Sequence, residues 1–196
     1  ILSTSDGGAS WRSQSTRTTS SYLTALTYTE PAVGFVVGDS GTILRTTNGG
    51  QQWVKLNSAT DQYLSGVSFG GSENGTAVGI AGTILRTTNA GETWEQQDSK
   101  TQRHLFAVCF VDAYVGTAVG DGGTILRTTN GGNTWIPQVS GTKSWLVGVD
   151  LIDQNIGFVV STAGTILRTT NGGGTRLELH TSTMNRLMGL SFSDAT

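Results

Sequence analysis

The sequence Gly-Thr-Ile-Leu-Arg-Thr-Thr-Asn, residues 41–48, decides the fold because the chain repeats it three more times without change. The four copies begin at Gly41, Gly82, Gly123 and Gly164, so the repeat spacing is 41 residues. A weaker copy, residues 1–8, opens the chain, with Ile1 42 residues before the matching Ile43. Short β-rich runs that recur about every 40 residues are the signature of four-stranded propeller blades.

Each repeat contains four strand-like segments, as the third copy shows. Apolar residues fill 105–110 and 116–120, β-branched residues follow within 124–129, and Trp135 opens a fourth segment. Glycine-rich turns separate the segments, and segments this short joined by tight turns favour antiparallel hairpins. No long apolar period of 3.6 residues occurs, so helix is not expected.

A sheet built from one repeat has two apolar faces, so successive sheets have to stack face to face to bury them. We therefore predict an all-β protein, a β-propeller of about five four-stranded antiparallel blades that forms a single domain over residues 1–196. The predicted units are 1–21, 22–62, 63–103, 104–144 and 145–185, with a partial unit 186–196 that closes onto 1–21.

A second motif, Thr-x-Asn-x-Gly-x-x-Trp, follows the third strand of each unit. One copy is residues 46–53, and the first copy carries Asp6 in place of Asn. The Asn, Asp and Trp residues of all copies are Asp6, Trp11, Asn48, Trp53, Asn89, Trp94, Asn130, Trp135 and Asn171. The last copy has Arg176 where the others have Trp, so we expect that copy to pack more weakly or to face a different neighbour.

The motif resembles the Asp-box, or BNR repeat, of sialidase-like and related propellers. The stretch before it, Val-Gly-Asp-x-Gly-Thr-Ile-Leu-Arg at 37–45, is more similar to the photosystem II stability/assembly-factor-like group, and the resemblance covers nearly the whole chain. We expect the box to be structural. Its Asn or Asp accepts hydrogen bonds from backbone N–H groups two residues on, its Gly adopts a positive φ, and its Trp fills the space between blades.

The sequence leaves the number of blades in the ring open. Five units need ten residues more than the chain has, and the positions equivalent to 115–124 are the missing ones. Residues 187–192 can still supply the innermost strand of the blade that residues 1–11 begin. The chain is therefore a five-bladed ring with a deficient closing blade or part of a longer ring, for which the resemblance implies seven blades. Four identical octapeptides also fit an engineered or recently amplified array.

The composition suits a turn-rich all-β protein and argues against several classes of function. With 28 glycines and 13% charged residues, the chain resembles extracellular proteins, so we expect an extracytoplasmic location (secreted, periplasmic or lumenal), although no signal is visible in this chain. A net charge of −2 gives no basic surface for nucleic acid, and no apolar run approaches the ~20 residues of a membrane span. The single cysteine, Cys109, cannot form an internal disulfide and is expected to be a buried apolar residue. No metal or cofactor motif occurs, so no cofactor is expected.

One face of a propeller is the natural place for a ligand. In the usual winding, the loops from the fourth strand to the next first strand share a face with the second-to-third-strand loops, and the boxes lie on the opposite face. The copies differ most in the fourth-to-first loops, and variable loops on a fixed scaffold usually carry ligand contacts. These loops are 12–21, 54–62, 95–103, 136–144 and 177–185. We call this the variable-loop face and expect a protein or glycan ligand there.

One register on the variable-loop face carries mostly planar side chains. It is the residue just before each inner-strand leucine, at the mouth of the predicted central tunnel. Rings and a guanidinium around one opening can stack on a sugar ring or grip an extended peptide, although they can also simply cover the ends of the inner strands. These mouth residues are Tyr22, Tyr63, His104, Trp145 and Arg186.

A second register carries arginines that could form a cationic ring for acidic groups. Arg45 is two residues from Ile43 and shares its face of the strand, which favours a place between blades, where it bonds loop carbonyls or stacks on the box Trp. The members of this register are Arg45, Arg86, Arg127 and Arg168.

The sequence favours a non-catalytic binding scaffold over an enzyme. Sialidase-like hydrolases need an arginine cluster, a Tyr/Glu pair and an acidic proton donor, and other glycosidases need two opposed carboxylates, whereas the acids of this chain are scattered. The assembly-factor resemblance implies a protein–protein interaction. The alternatives are a glycan-binding, lectin-like propeller that uses the mouth aromatics and, third, a remnant of a sialidase-like glycoside hydrolase.

Overall fold

The computed structural model of the protein describes residues 1–14, 21–179, 181, 183 and 185–192, and these residues form 18 β-strands and two short 3-10 turns. Residues 15–20 of the predicted first unit and 193–196 of the predicted partial unit lie outside the described residues. The strands are β1 (Leu2–Ser3), β2 (Arg12–Ser13), β3 (Leu23–Glu30), β4 (Val33–Gly38), β5 (Ile43–Thr46), β6 (Val54–Leu56), β7 (Leu64–Phe69), β8 (Gly75–Gly79), β9 (Ile84–Thr87), β10 (Glu95–Gln97), β11 (Leu105–Phe110), β12 (Gly116–Gly120), β13 (Ile125–Thr128), β14 (Ile136–Gln138), β15 (Leu146–Leu151), β16 (Gly157–Ser161), β17 (Ile166–Thr169) and β18 (Leu177–Leu179). The 3-10 turns are Ile80–Gly82 and Asp121–Gly123.

Within the described part of the chain, sixteen of these strands form four-stranded antiparallel sheets in chain order. We call them blade 1 (β3–β6), blade 2 (β7–β10), blade 3 (β11–β14) and blade 4 (β15–β18). β1 and β2 form a two-stranded sheet, the N-terminal half-blade. The predicted all-β class is confirmed, and the first predicted unit contributes the half-blade.

The repeated octapeptide explains why the blades stack. Ile43 and Leu44 are adjacent on β5, so their side chains point to opposite faces of blade 1, and both are fully buried. Ile43 packs in a cluster that also contains Leu64 of blade 2, whereas Leu44 packs in a cluster to which Ile1 of the half-blade adds. The Ile-Leu pair therefore supplies one apolar side chain to each neighbouring sheet.

Residues 186–192, the C-terminal segment, lie against blade 4 in the register of an inner strand. The Leu187 N–H donates to the Ser161 carbonyl oxygen at 3.2 Å, and the Phe192 N–H donates to Asp150 Oδ2 at 2.7 Å. The Phe192 ring lies 4.6 Å from the Phe158 ring, measured between centroids. Closure of this segment onto residues 1–21 stays a prediction.

Ala90 is an alanine at a backbone position that the chain otherwise gives to glycine. Its φ is +54°, and Gly7, Gly49, Gly131 and Gly172 occupy the same position of the other boxes with φ between +66° and +69°. The left-handed conformation costs an L-residue about 1–2 kcal/mol, because Cβ approaches the following carbonyl oxygen. Ala90 therefore carries strain that the other four positions avoid.

We expect Ala90→Gly to raise the free energy of unfolding by about 1 kcal/mol, since relief of the left-handed strain exceeds the entropy cost of glycine. Gly49→Ala is the matched control and should lower it by a similar amount, because the nearest atom to a Cβ there is the Pro31 carbonyl oxygen at 3.8 Å. Urea unfolding followed by circular dichroism measures both. Equal destabilisation by the two changes would contradict the assignment.

Candidate functional site

The mouth residues lie at the start of the inner strands, and all five side chains are exposed. In each of blades 1 to 4, the mouth carbonyl oxygen accepts a hydrogen bond from the backbone N–H that follows the second strand. These bonds run from Asp39 to Tyr22, from Ile80 to Tyr63, from Asp121 to His104 and from Thr162 to Trp145, at 2.8–3.0 Å. The four side chains therefore leave the scaffold at equivalent points of one rim, and Arg186 has the same register in the C-terminal segment.

A glycine on the second strand permits this close approach in blades 1 to 3. A Cβ at Gly38, Gly79 or Gly120 would overlap the carbonyl oxygen of the neighbouring mouth residue. Blade 4 has Ser161 at the same place, and its Oγ accepts hydrogen bonds from the N–H groups of Ala163 and Thr165. Backbone contact, and not side-chain packing, therefore fixes the mouth positions.

Two of the mouth side chains also contact the preceding blade. His104 Nδ1 accepts a hydrogen bond of 3.0 Å from the Ala81 N–H in blade 2. The Trp145 ring lies 5.7 Å from the ring of Phe106 in blade 3, centroid to centroid. These contacts orient His104 and Trp145 while leaving part of each side chain open to solvent.

The loops of the variable-loop face share a turn that was not predicted from the sequence. Ser58 Oγ donates to the Thr60 carbonyl oxygen at 3.0 Å, and Thr60 Oγ1 accepts from the Gln62 N–H. The same two bonds recur in the next two loops, from Ser99 and Ser140. The signal was present, because Ser-x-Thr recurs at the repeat spacing. The loops therefore have a fixed backbone that presents variable side chains beside the mouth residues.

The arginine register does not converge on an opening. Arg86 Nε donates to the Gly131 carbonyl oxygen at 2.6 Å, and Arg127 Nη2 donates to the Gln154 carbonyl oxygen at 2.5 Å, each in the next blade. Arg45 and Arg168 lie over the rings of Phe35 and Phe158, both at 5.9 Å from the ring centroid. The structure thus places Arg86 and Arg127 between blades, bonded to loop carbonyls, and the aromatic partners are phenylalanines where the box Trp was expected.

The boxes form one hydrogen-bonded unit that is the same in all five copies. In the second copy, Thr46 Oγ1 donates to Asn48 Oδ1 at 3.0 Å and accepts from the N–H groups of Asn48 and Gly50. Asn48 Oδ1 accepts from the N–H of Gln52, four residues on. The predicted hydrogen bond from the N–H two residues on was wrong, because the Thr46 hydroxyl accepts that N–H, which belongs to Gly50. Asn48 Oδ1 accepts the Gln52 N–H instead.

The first box is the acidic version of this unit. The Ser10 hydroxyl donates to Asp6 Oδ2 at 2.6 Å, and the Ser10 N–H donates to Asp6 Oδ1 at 2.9 Å. These hydrogen bonds lower the pKa of Asp6 to about 2. The carboxylate is therefore an ionised turn-forming group at neutral pH.

Arg176 occupies the position of the box Trp in the last copy and forms hydrogen bonds to the preceding blade. Its Nη2 donates to Gln138 Oε1 at 2.5 Å and its Nη1 to the Val139 carbonyl oxygen at 3.3 Å. Burial, with a smaller contribution from the charge of Arg127, lowers the pKa of Arg176 to about 10. The last box therefore faces the same neighbour as the others and holds it by hydrogen bonds.

Among the described residues, the remaining titratable groups do not assemble a metal or nucleophile site. Within the described residues, no three His, Cys, Asp or Glu side chains are grouped closely enough to hold a metal ion. Cys109 is half-buried and its Sγ donates to Asp150 Oδ1 at 3.5 Å, and burial raises the pKa of the thiol to about 12. A thiol with this pKa is a poor nucleophile at neutral pH.

Comparison with known proteins identifies the family. The family model described as photosynthesis system II assembly factor YCF48 matches residues 3–139, more than half of the chain. The chain belongs to this family. The match runs from the half-blade to the end of blade 3, and it confirms the Asp-box, assembly-factor-like resemblance. No curated protein sequence gives a significant match to this member of the YCF48 family.

Solved structures show the same fold. A structure of YCF48 bound to D1 peptide is 22% identical, with a TM-score of 0.70, and the match covers 88% of this chain and 58% of that one. YCF48 from Cyanidioschyzon merolae is 23% identical, with a TM-score of 0.70, over 89% of this chain and 61% of that one. An ancestral GH74 enzyme is 16% identical, with a TM-score of 0.67, over 84% of this chain and 26% of that one. The predicted β-propeller fold is confirmed, and the chain spans less than two thirds of the length of these two YCF48 structures.

Among the residues whose structure is described, no helix is long and apolar enough to cross a membrane.

Proposed function

We propose that the chain is a non-catalytic protein-binding scaffold of the assembly-factor kind, and that its variable-loop face binds an extended segment of a partner protein. The observation that carries the proposal is the set of exposed aromatic mouth residues, which one backbone bond holds in equivalent positions on successive blades. Tyr and Trp on a rigid support are the side chains that contribute most to protein interfaces, because they bury a large area at low entropy cost.

The family supports a protein partner over the other functions considered. The chain belongs to the YCF48 assembly-factor family, and a structure of a YCF48 protein contains a bound D1 peptide. We extend that binding to this chain as a proposal. No specific observation favours the glycan alternative, and the GH74 enzyme is similar in fold alone.

Two carboxylates of the variable-loop face have structural surroundings. Glycoside hydrolysis needs two carboxyl groups set about 5–10 Å apart across one bond. On the variable-loop face, Asp98 forms an ion pair with Lys100, and Asp121 lies in the 3-10 turn of blade 3. The aromatic and turn-forming groups of this face supply contact area and hydrogen bonds, which suits recognition of a peptide backbone.

The test is the binding of a fluorescently labelled synthetic D1 peptide, measured by anisotropy. We expect Tyr63→Ala/Trp145→Ala to weaken binding by at least about tenfold, since interface aromatics are worth about 1–3 kcal/mol each. Tyr114→Ala is the control. Tyr114 is an exposed tyrosine whose carbonyl oxygen accepts from the Gly131 N–H of a box, so it lies on the opposite face, and its loss should leave affinity unchanged.

Three outcomes would contradict the proposed function. Equal weakening by the Tyr114 and mouth variants would place the peptide elsewhere or show non-specific binding. Binding of the wild-type chain to a glycan array, lost in the mouth variant, with no binding of peptide, would favour the lectin alternative. Turnover of a chromogenic sialoside would overturn the non-catalytic assignment.

A further inference from the structure

Arg45 carries a guanidinium whose hydrogen-bond donors are unused in the described part of the chain. Its Nε is buried and has no hydrogen-bond partner among the described residues. The ion pair that these residues contain joins Asp98 and Lys100, so Arg45 has no carboxylate partner there. Its contact with the Phe35 ring uses the positive charge but none of the five N–H donors. Because a buried donor without a partner costs free energy, Arg45 is a candidate for binding an anion.

The residue opposite each arginine on the second strand explains this difference. In blade 2, Thr76 stands opposite Arg86, and Arg86 reaches the carbonyl oxygen of the next box. In blade 1, Phe35 stands opposite Arg45. The Phe35 ring fills the space beneath the box of blade 2, where a Cβ on Gly91 would overlap it. Arg45 therefore lies over the ring and does not bond the box of the next blade.

Arg45 also lines a cavity of about 210 Å³ on the side of blade 1 that faces blade 2. This volume is that of about seven water molecules at ~30 Å³ each, and it is below the ~300 Å³ of the smallest drug-sized pockets. The cavity has an apolar wall from strand β6 and a polar end from the box of blade 1. Its lining residues are Arg45, Thr47, Asn48, Gln52, Val54 and Leu56.

In blade 3 the equivalent positions hold the next blade. Gln138, the equivalent of Leu56, donates to a carbonyl oxygen of blade 4 at 3.0 Å. Arg127, the equivalent of Arg45, also donates to a carbonyl oxygen of blade 4. Blade 1 has a leucine and an unbonded arginine at these two positions, so its cavity combines a cation with apolar surface.

We propose that this cavity binds a carboxylate that carries a short apolar chain, with Arg45 as the anion-binding residue. A guanidinium pairs with a carboxylate through two parallel hydrogen bonds, which would satisfy donors that are unused in the described structure. Val54 and Leu56 contact the apolar chain. The small volume admits a free acid of a few carbons or the terminal residue of a peptide. The site lies beside the box of blade 1, so the inference does not depend on the proposed peptide binding at the variable-loop face.

The experiment is a titration of the isotope-labelled 196-residue chain with sodium isocaproate at constant ionic strength, followed by amide NMR spectra. We expect saturable shifts confined to the amides of residues 45–56, with a Kd of about 1–10 mM for so small a ligand. Isocaproamide has the same shape without the charge and should produce no such shifts. N-Acetyl-leucine separates the two sources of carboxylate, because tighter binding than isocaproate indicates a peptide terminus and weaker binding indicates a free acid.

Val54→Glu tests the role of Arg45 without removing it. Val54 stands opposite Arg45 and is 61% exposed, so a longer polar side chain fits there, as Glu95 does opposite Arg86. The new carboxylate competes for the guanidinium, and we expect isocaproate binding to weaken by at least about tenfold. Val54→Gln is the matched neutral control and should bind within about twofold of wild type, since hydrogen bonds to neutral groups are weaker.

Arg45→Lys should also weaken binding by at least about tenfold, because an ammonium group cannot pair with both carboxylate oxygens in the same way. Unchanged dispersion of the amide spectrum shows that each variant is folded. The proposal is overturned if wild type gives no saturable shifts up to about 100 mM isocaproate, ten times the upper Kd expected. Equal shifts with isocaproamide, or equal affinity of the Val54→Glu and Val54→Gln variants, overturn it as well.

Discussion

Replacing Trp94 by Ala should lower the free energy of unfolding by about 3–5 kcal/mol, the usual cost of removing a large aromatic side chain from a core. Trp94 is 4% exposed and joins two blades. Its ring packs edge-on against Phe35 of blade 1 at 6.5 Å and against Phe69 of blade 2 at 6.0 Å, centroid to centroid. Truncation leaves a cavity between blade 1 and blade 2. Because protein interiors are closely packed, neither sheet can easily move to fill that cavity.

Trp11 provides a control from the same motif. It occupies the same box position in the first copy but is 60% exposed, because the described residues place neither a preceding blade nor an inner strand of its own blade beside it. Trp11→Ala should cost less than about 0.5 kcal/mol, as surface substitutions usually do. Urea titration of both variants gives the comparison, and equal losses would mean that the box Trp does not hold blades together.

Trp94→Phe separates ring packing from hydrogen bonding. The indole Nε1 of Trp94 is buried and has no hydrogen-bond partner. Replacement by Phe therefore loses part of the ring area but no hydrogen bond, and should cost less than about 2 kcal/mol. A cost as large as that of Trp94→Ala would indicate that Phe35 and Phe69 do not close around the smaller ring.

The strands could be predicted from the sequence because local chemistry decides them. The segments 105–110 and 116–120 are β11 and β12 with the same bounds, and the segment 124–129 contains β13. Alternating apolar and polar residues, β-branched residues and glycine turns each favour strands or hairpins over a few residues. The 41-residue repeat shows these features again in every copy. Spacing also predicts equivalent positions for the mouth residues, and their carbonyl oxygens accept equivalent backbone hydrogen bonds in blades 1 to 4.

Partners of individual side chains could not be predicted, because they depend on the neighbouring blade. Arg45 and Arg86 occupy identical octapeptides, yet Arg86 bonds a carbonyl of the next blade and Arg45 lies over Phe35. Likewise Leu26 is 50% exposed in the register of Val67, which is 9% exposed, since Val67 packs with residues of β4 and the described residues place no equivalent strand beside Leu26. The repeat predicts the surroundings of a side chain within its own blade, but not its contacts with the neighbouring blade.

The first glycine of the octapeptide is constrained by a contact that a repeat alone does not reveal. Gly82 has a φ of +72°, and a Cβ there would overlap the Thr101 carbonyl oxygen. That carbonyl also accepts the Ser99 hydroxyl, at 3.1 Å, within the turn shared by the loops. The octapeptide and the variable-loop face are therefore in direct backbone contact, and a side chain at Gly82 has to displace the loop.

Gly82→Ala should therefore destabilise the protein by about 3 kcal/mol, the sum of a left-handed alanine at about 1–2 kcal/mol and overpacking of at least about 1 kcal/mol. Gly49→Ala measures the left-handed contribution alone, since its φ of +66° is similar but its nearest neighbour is 3.8 Å from the added carbon. Both are measured by urea unfolding. If the two substitutions cost the same, the loop moves aside freely, and the fixed loop backbone inferred for the variable-loop face is wrong.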